Sequence, residues 1–135
     1  MKTGYIIFIS LTLSFLFTSS ATAQESQCQK SPIVNGACFK VVGTLELYNG
    51  WPPALRIEPK TKGKLYGIGP KDRELIPNNI AKVLPSKVEG EFEVCPFNET
   101  TSVPYDERKI EMVCIQKVRN AWYWDSKTDS KKKLE

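Results

Sequence analysis

Apolar and polar side chains alternate at period two in five separate stretches of this 135-residue chain, and no other feature constrains its fold as strongly. Successive side chains of a β-strand point to opposite faces of the sheet, so this alternation is typical of strands that are buried on one face only. Turn-forming residues separate the stretches. We therefore predict five half-buried strands over residues 39–48, 55–58, 64–68, 87–94 and 109–118, with residues 120–124 as an extension of the last strand.

The segment between the third and fourth strands lacks this alternation. Residues 71–86 hold Pro77 and Pro85 on either side of the run NNIAKVL, which fits a short helix or a structured loop. Five strands with such an insert match a small Greek-key barrel of the oligonucleotide/oligosaccharide-binding (OB) type, whereas a β-sandwich usually has about seven strands. We predict an all-β fold with little helix, in the form of a closed five-stranded OB-like barrel.

The first 23 residues have the three parts of a secretory signal peptide. Lys2 supplies the positive start, residues 5–17 are an apolar run, and the small residues that follow end in an A-x-A pattern at Ala23. The apolar run is shorter than the roughly 20 residues that span a bilayer, so we expect cleavage after Ala23 and export to the periplasm or the extracellular space. We assign residues 24–126 to one barrel domain and residues 127–135 to a disordered Lys-rich tail.

Four cysteines remain after such a cleavage, at positions 28, 38, 95 and 114. An even number of cysteines in a small exported domain predicts two disulfides that staple the barrel. The alternative, a zinc site, usually carries C-x-x-C pairs, and this chain has none. Strict alternation places Cys114 on the inner face and Cys95 on the outer face. We prefer Cys95–Cys114 with Cys28–Cys38, and Cys38–Cys95 is the alternative if Cys95 stays on the outer face.

The chain contains no histidine, and this absence removes several kinds of active site. Serine–histidine and cysteine–histidine nucleophile systems and imidazole-bound metals all require that residue. The sequence has no G-x-S-x-G or S-x-x-K motif and no complete phosphate-binding loop. The carboxylates of Glu89, Glu91 and Glu93 share one strand face, which leaves a carboxylate-based hydrolase as a remote alternative. We expect no enzyme activity, no cofactor and no bound metal.

Aromatic and basic residues supply the candidate binding site. Trp51 lies in a connection stiffened by Pro52 and Pro53, which could present its ring for stacking on a sugar or a base. Basic side chains nearby in the sequence could contact phosphate or carboxylate groups. The alternative is that the aromatic rings, including those of residues 122–124, only fill the barrel ends. The candidate ligand-binding residues are Tyr48, Trp51, Arg56, Lys60, Lys62 and Lys64.

Residues 38–57 contain the pattern C-F-x-V-x-G-x-L, then Y-N-G, a proline and R-I, and residues 92–96 read F-x-V-C-P. This text resembles a group of small exported bacterial proteins that have no established activity. The chain departs from their pattern by one extra residue in the connection at Trp51, by Glu58 in place of an aromatic residue, and by its Lys-rich tail. The resemblance implies export and a small β domain, and it implies no activity.

Two functional hypotheses follow from these features. The first is a non-enzymatic binding module for a glycan, an anionic polymer or another cell-envelope component, including a protein partner. The second is a structural or protein-interaction module with no small ligand, in which the aromatic residues belong to the core. Nucleic acid is not an expected partner, because the tail contributes +2 of the net charge of +4 and residues 24–126 carry only about +1. We also expect no membrane span beyond the signal peptide.

Overall fold

The computed structural model describes residues 26–69, 75–104 and 106–135, so the predicted signal peptide and its cleavage site lie outside the described residues. Most of this part of the chain is β-strand, as the alternation predicted. A short 3-10 helix, Cys28–Lys30, precedes the first strand, and an α-helix, α1, spans Asn78–Val83 within the predicted insert. The strands are β1 Phe39–Leu47, β2 Leu55–Pro59, β3 Leu65–Ile68, β4 Val88–Thr101, β5 Ile110–Asp125 and β6 Ser130–Lys133.

Five of these strands close into a barrel. The hydrogen-bonded order is β3-β2-β1-β4-β5-β6, and a further pairing of β3 with β5 joins the two ends of the five-stranded part. That closing pair is parallel and the other pairs are antiparallel. With α1 between β3 and β4, this is the predicted OB-type Greek-key barrel, and the fold class is confirmed.

Strand β1 serves both halves of the barrel, because its first residues pair with β4 and its last residues pair with β2. The two pairings overlap at residues 43–45, which begin with Gly43. A Cβ atom at this position would lie only 2.3 Å from the carbonyl oxygen of Glu58. Only glycine therefore allows β2 to approach β1 closely enough for the barrel to close.

The main core fills the barrel and continues under α1. Its largest fully buried side chains come from the first, second, third, fourth and fifth strands and from α1, with Phe92 of β4 the bulkiest. Ile76 and Ile80 belong to the same cluster, and Ile80 ties the helix to the barrel. Burying an aliphatic side chain of this size contributes about 1.5–3 kcal/mol, so the short helix is held by packing rather than by its own propensity.

Two irregularities in β5 change which of its side chains face inward. The register with β4 shifts between Glu93 and Val94, and again between Glu89 and Glu91, each time with one extra residue on β5. Val113 and Ile115 therefore join the main core. Ile110, Met112 and Cys114 belong to two smaller clusters outside it. The inner-face position predicted for Cys114 was wrong, because strict alternation does not continue through a β-bulge.

The disulfides join Cys28 to Cys114 and Cys38 to Cys95. The preferred pairing of the sequence analysis was wrong, and the alternative partner given there for Cys95 is correct. Cys95 and Cys114 are direct neighbours across β4 and β5, yet each forms its disulfide with a cysteine that precedes β1. The sulfur atoms of Cys28, Cys95 and Cys114 lie within 4.8 Å of one another. No cysteine is free among the described residues, so this cluster offers no thiolate for a metal.

The Lys-rich tail is ordered, contrary to the prediction of disorder from residue 127. Residues 130–133 form β6 and pair with residues 122–125 at the end of β5. Lys132 donates a hydrogen bond to the Asp125 carboxylate at 2.5 Å. The backbone amide of Leu134 donates to the carbonyl of Ala121, and the Leu134 side chain packs against the main core. The charge of these residues therefore does not reveal that they form a strand, because strand pairing depends on hydrogen bonds of the backbone.

Candidate functional site

The β1–β2 loop, residues 48–54, presents Trp51 to solvent. The indole is 63% exposed, whereas Pro53 of the same loop is buried. Pro53 lies against β3, where a Cβ atom at Gly67 would be 2.3 Å from its ring. The absence of a side chain at Gly67 thus allows the loop to lie directly on the barrel.

The buried guanidinium of Arg56 holds this loop. Arg56 is only 8% exposed. Its Nε–H donates to the carbonyl of Pro53 and its Nη2–H to the carbonyl of Trp51, both at 2.7 Å. The guanidinium also lies 4.8 Å from the centre of the Tyr48 ring, within the range of a cation–π contact. Arg56 therefore positions Trp51, and its direct contact with a ligand stays a prediction.

A chain of polar contacts continues from Tyr48 to the β4–β5 loop, residues 102–109. The Tyr48 hydroxyl donates to the Glu58 carboxylate at 3.4 Å. Arg108 bridges Glu58, at 2.5 Å, and Asp106, at 3.0 Å. Burial of the Tyr48 phenol, together with the negative charge of Glu58, raises its pKa. The Arg108 guanidinium holds the pKa of Asp106 below its usual value. These contacts link the β1–β2 loop to the β4–β5 loop, and the two loops flank the β2–β3 face of the barrel.

The predicted basic residues line a groove at the other end of β2. Lys60 and Lys62 of the β2–β3 turn, residues 60–64, contribute to a shallow concavity of about 580 Å³. Strand residues complete its walls. Lys64 also lines it, although its ammonium group is 2.7 Å from the carboxylate of Glu111. The other residues that line the groove are Lys40, Val41, Val42, Pro59, Thr61 and Tyr66.

The predicted site residues do not form one compact pocket. Trp51 precedes β2 and Lys60 follows it, and a five-residue strand is about 13 Å long. Arg56 and Glu58 lie between them on the outer face, where other protein groups engage both side chains. The arrangement is a strip along β2 with an aromatic end and a cationic end.

The carboxylates of Glu89, Glu91 and Glu93 each contact a lysine or an asparagine side chain rather than another glutamate. Glu89 pairs with Lys131 at 2.6 Å, Glu93 with Lys117 at 3.2 Å, and Glu91 accepts a hydrogen bond from Asn120 at 3.3 Å. The hydrogen bond from Lys131 lowers the pKa of Glu89. A general acid needs a raised pKa, so Glu89 is unsuited to that role.

The aromatic residues of β5 divide between the two faces of the sheet. Tyr123 is half-buried and packs against the main core. Trp122 and Trp124 point the other way and are 43% and 47% exposed. The alternative in which these residues only fill a barrel end therefore holds for Tyr123 alone.

Comparison of the chain with protein-family models, curated proteins and solved structures gives no match. The resemblance to small exported bacterial proteins therefore stays a prediction. Among the helices of the described residues, none is both long enough and apolar enough to cross a membrane.

Sequence reasoning did not include Glu58, Asp106, Arg108 or Lys40 among the candidate residues. Arg108 and Asp106 lie in the β4–β5 loop, which flanks the ligand-binding face in OB-type barrels, so the predicted fold itself was the available signal. Lys40 lies on β1 and lines the lysine groove. Lys40 lies on the polar face of the first alternating stretch, and this position was a signal that it is exposed. The sequence did not show how β1 pairs with the β2–β3 hairpin, so it did not place Lys40 in the groove.

Proposed function

We propose that this chain is an exported, non-enzymatic binding module whose ligand is an extended anionic polymer, such as an acidic glycan of the cell envelope. The observation that carries the proposal is the exposed Trp51 indole on a loop whose backbone is fixed by a buried arginine. A large apolar side chain held rigidly in solvent loses little entropy when a ligand covers it. Loops and strands at this place form the ligand-binding face in other OB-type barrels.

The charges along β2 support an anionic ligand. Among the described residues, the ammonium groups of Lys40, Lys60 and Lys62 enter no salt bridge, so they remain available to a ligand. Lys60 and Lys62 lie about one strand length from Trp51, which suits a ligand with several repeating units rather than a small molecule. Tyr66 adds an aromatic surface within the groove.

Export is supported by chemistry that is independent of the leader sequence. Two disulfides with no free cysteine among the described residues are typical of proteins that fold in an oxidising compartment. N-terminal sequencing of the protein recovered outside the cytoplasm tests the predicted cleavage after Ala23. We expect the chain to begin at Gln24, and recovery only in the cytoplasm with an intact leader would contradict export.

Binding is tested with a reporter that contains Trp51 as its only tryptophan. The double variant Trp122→Phe/Trp124→Phe is titrated with oligogalacturonate, an acidic glycan, and in parallel with neutral dextran. We expect a saturable change in Trp51 emission with oligogalacturonate alone, and an affinity that falls as salt is added. An emission spectrum that stays constant with oligogalacturonate would refute the proposed ligand class.

The lysines are tested in the same reporter. Lys60→Ala/Lys62→Ala is expected to weaken binding about fivefold, since each exposed ion pair contributes roughly 0.2–1 kcal/mol. Lys82→Ala, which removes an exposed lysine of α1, is the matched control and is expected to leave binding unchanged. Equal effects of the two variants would show that the groove does not contact the polymer.

A protein-interaction module with no small ligand is the second candidate. It is favoured by the ion pairs between Glu58, Arg108 and Asp106, which occupy the middle of the strip with the protein's own groups. Chemical cross-linking in the native envelope separates the two candidates. A defined protein adduct at Trp51 that persists after glycan removal would favour this second function.

A further inference from the structure

A second aromatic surface lies on the outer face of β5, a strand that β1 and β4 separate from β2 in the hydrogen-bonded order. Trp122 and Trp124 are two residues apart on one strand, so their indoles emerge on the same side about 7 Å from each other. Glu89 lies opposite Trp122 on β4, and Lys131 lies opposite Trp124 on β6. Cross-strand partners share a face, so two indoles, a carboxylate and an ammonium group surround one area.

This area forms a small hollow rather than a flat patch. Its volume is about 130 Å³, which suits a single ring rather than a large ligand. Tyr123 contributes to its lining, although most of its side chain packs inward. The walls are Lys87, Glu89, Trp122, Tyr123, Trp124 and Lys131.

The charged groups of the hollow balance one another. Lys131 pairs with Glu89 at 2.6 Å, and Lys87 pairs with Glu46 at 2.8 Å. Glu46 lies outside the lining of the hollow, and each ammonium group within it already has a carboxylate partner, so no unpaired charge is offered to an ionic ligand. A neutral ligand with hydroxyl groups can donate to the carboxylates and accept from the ammonium groups without disturbing either pair. Charge complementarity thus selects an uncharged, hydroxyl-rich ligand.

We propose that Trp122 and Trp124 form a second binding site, which takes a pyranose ring of a neutral glycan. The apolar face of the sugar ring stacks on an indole, and its hydroxyl groups exchange hydrogen bonds with Glu89 and Lys131. Both tryptophans lie on β5, which pairs with β4 on one side and with β6 on the other. These backbone hydrogen bonds fix the positions from which the two indoles emerge. The site therefore needs little rearrangement to bind.

The test uses a reporter in which only this site contains tryptophan. The Trp51→Phe variant of the full chain is titrated with cellotetraose and with N-acetylchitotetraose, with fluorescence and calorimetry as readouts. We expect saturable binding of at least one of these neutral oligosaccharides with a change in indole emission. Adding Trp124→Ala is expected to weaken binding at least about tenfold, as loss of one stacking ring does elsewhere. Trp51→Ala in the otherwise unchanged chain is the matched control and is expected to keep the affinity.

Several results would overturn the proposal. These are no binding of either oligosaccharide at millimolar concentration, an affinity within twofold after Trp124→Ala, or a response of this reporter to anionic vesicles in place of the sugars. Circular dichroism checks folding, and Trp124→Phe, which keeps a smaller ring, replaces Trp124→Ala if that variant unfolds. An intermediate loss of affinity is then expected, and an unchanged affinity would again refute the site. The Trp51 reporter measures the acidic polymer separately, so failure at one site is distinguishable from failure at the other.

Discussion

Arg56→Lys is predicted to loosen the loop that carries Trp51. The guanidinium makes two hydrogen bonds of 2.7 Å to the carbonyls of Trp51 and Pro53, and lysine has one terminal nitrogen with which to replace them. A hydrogen bond from a charged group contributes about 1.5–3 kcal/mol, and a buried carbonyl left without a partner is costly. We expect the free energy of unfolding to fall by about 2 kcal/mol, or about 30-fold in the unfolding equilibrium.

Urea unfolding followed by circular dichroism measures this stability, and fluorescence anisotropy of the Trp51 reporter measures the mobility of the ring. Arg119→Lys is the matched control, since Arg119 is exposed on the outer face of β5, and its effect should stay below about 0.5 kcal/mol. If Arg56→Lys changes stability by no more than this control and leaves the anisotropy unchanged, the positioning role of Arg56 is refuted. We further expect the variant to bind the acidic polymer more weakly than the unaltered reporter does.

Three other predictions follow from the structure. Gly43→Ala should destabilise the barrel by about 3 kcal/mol or more in thermal unfolding, because the new Cβ would meet the Glu58 carbonyl at 2.3 Å, and a stable variant would disprove the tight crossing of β1 and β2. Peptide mapping without reduction should recover Cys28 linked to Cys114, and replacing both by alanine should cost roughly 4–5 kcal/mol; a peptide joining Cys95 to Cys114 would contradict the structure. The Lys132 ammonium lowers the pKa of Asp125 to about 2 from 3.8, so the stability that this carboxylate adds is complete above about pH 4 and is lost as the pH falls through 2. Asp125→Asn should remove that pH dependence from the amide signals of β6 in nuclear magnetic resonance spectra, and identical titrations of both proteins would exclude the contact.

The fold was predictable because its main signal is local. Alternation placed the first three strands within one residue of their observed ends, and the prolines around residues 77 and 85 located α1. Five strands with one insert fit few small barrels, so few strand orders remained possible. These signals depend on neighbouring residues in the chain, which a sequence displays directly.

The errors arose where distant residues decide the structure. One extra residue in β5 near Gln116 reverses the faces of everything before it in the strand, and no local pattern marks that position. The disulfide pairing changed with it, because Cys114 moved to the outer face. The tail was misassigned because the Lys-rich composition of residues 127–135 predicts solvation, whereas strand pairing depends on backbone groups and on the packing of Leu134.

The candidate site was predicted in part. Two prolines exclude Trp51 from a regular strand, but the sequence left open whether its ring is exposed or part of the core. The burial of Arg56 was not indicated either, since arginine is rarely buried without partners. Its partners are backbone carbonyls of the loop itself, which composition cannot reveal. The sequence also placed Lys60, Lys62 and Lys64 on one turn. Their distance from Trp51 depends on the length of β2, which the structure shows.

The position of β5 in the chain governs when the barrel can form. This strand pairs with β3, β4 and β6, and it supplies the partner of Cys28 across a separation of 86 residues. A chain that emerges from its amino end, from a ribosome or through a translocation pore, can therefore neither close the barrel nor lock its first segment until residue 114 and its neighbours have appeared. Folding dominated by such distant pairings is slow, on the scale of milliseconds to seconds. During that interval, the edges of β3 and β4 are unpaired and open to pairing with strands of other chains.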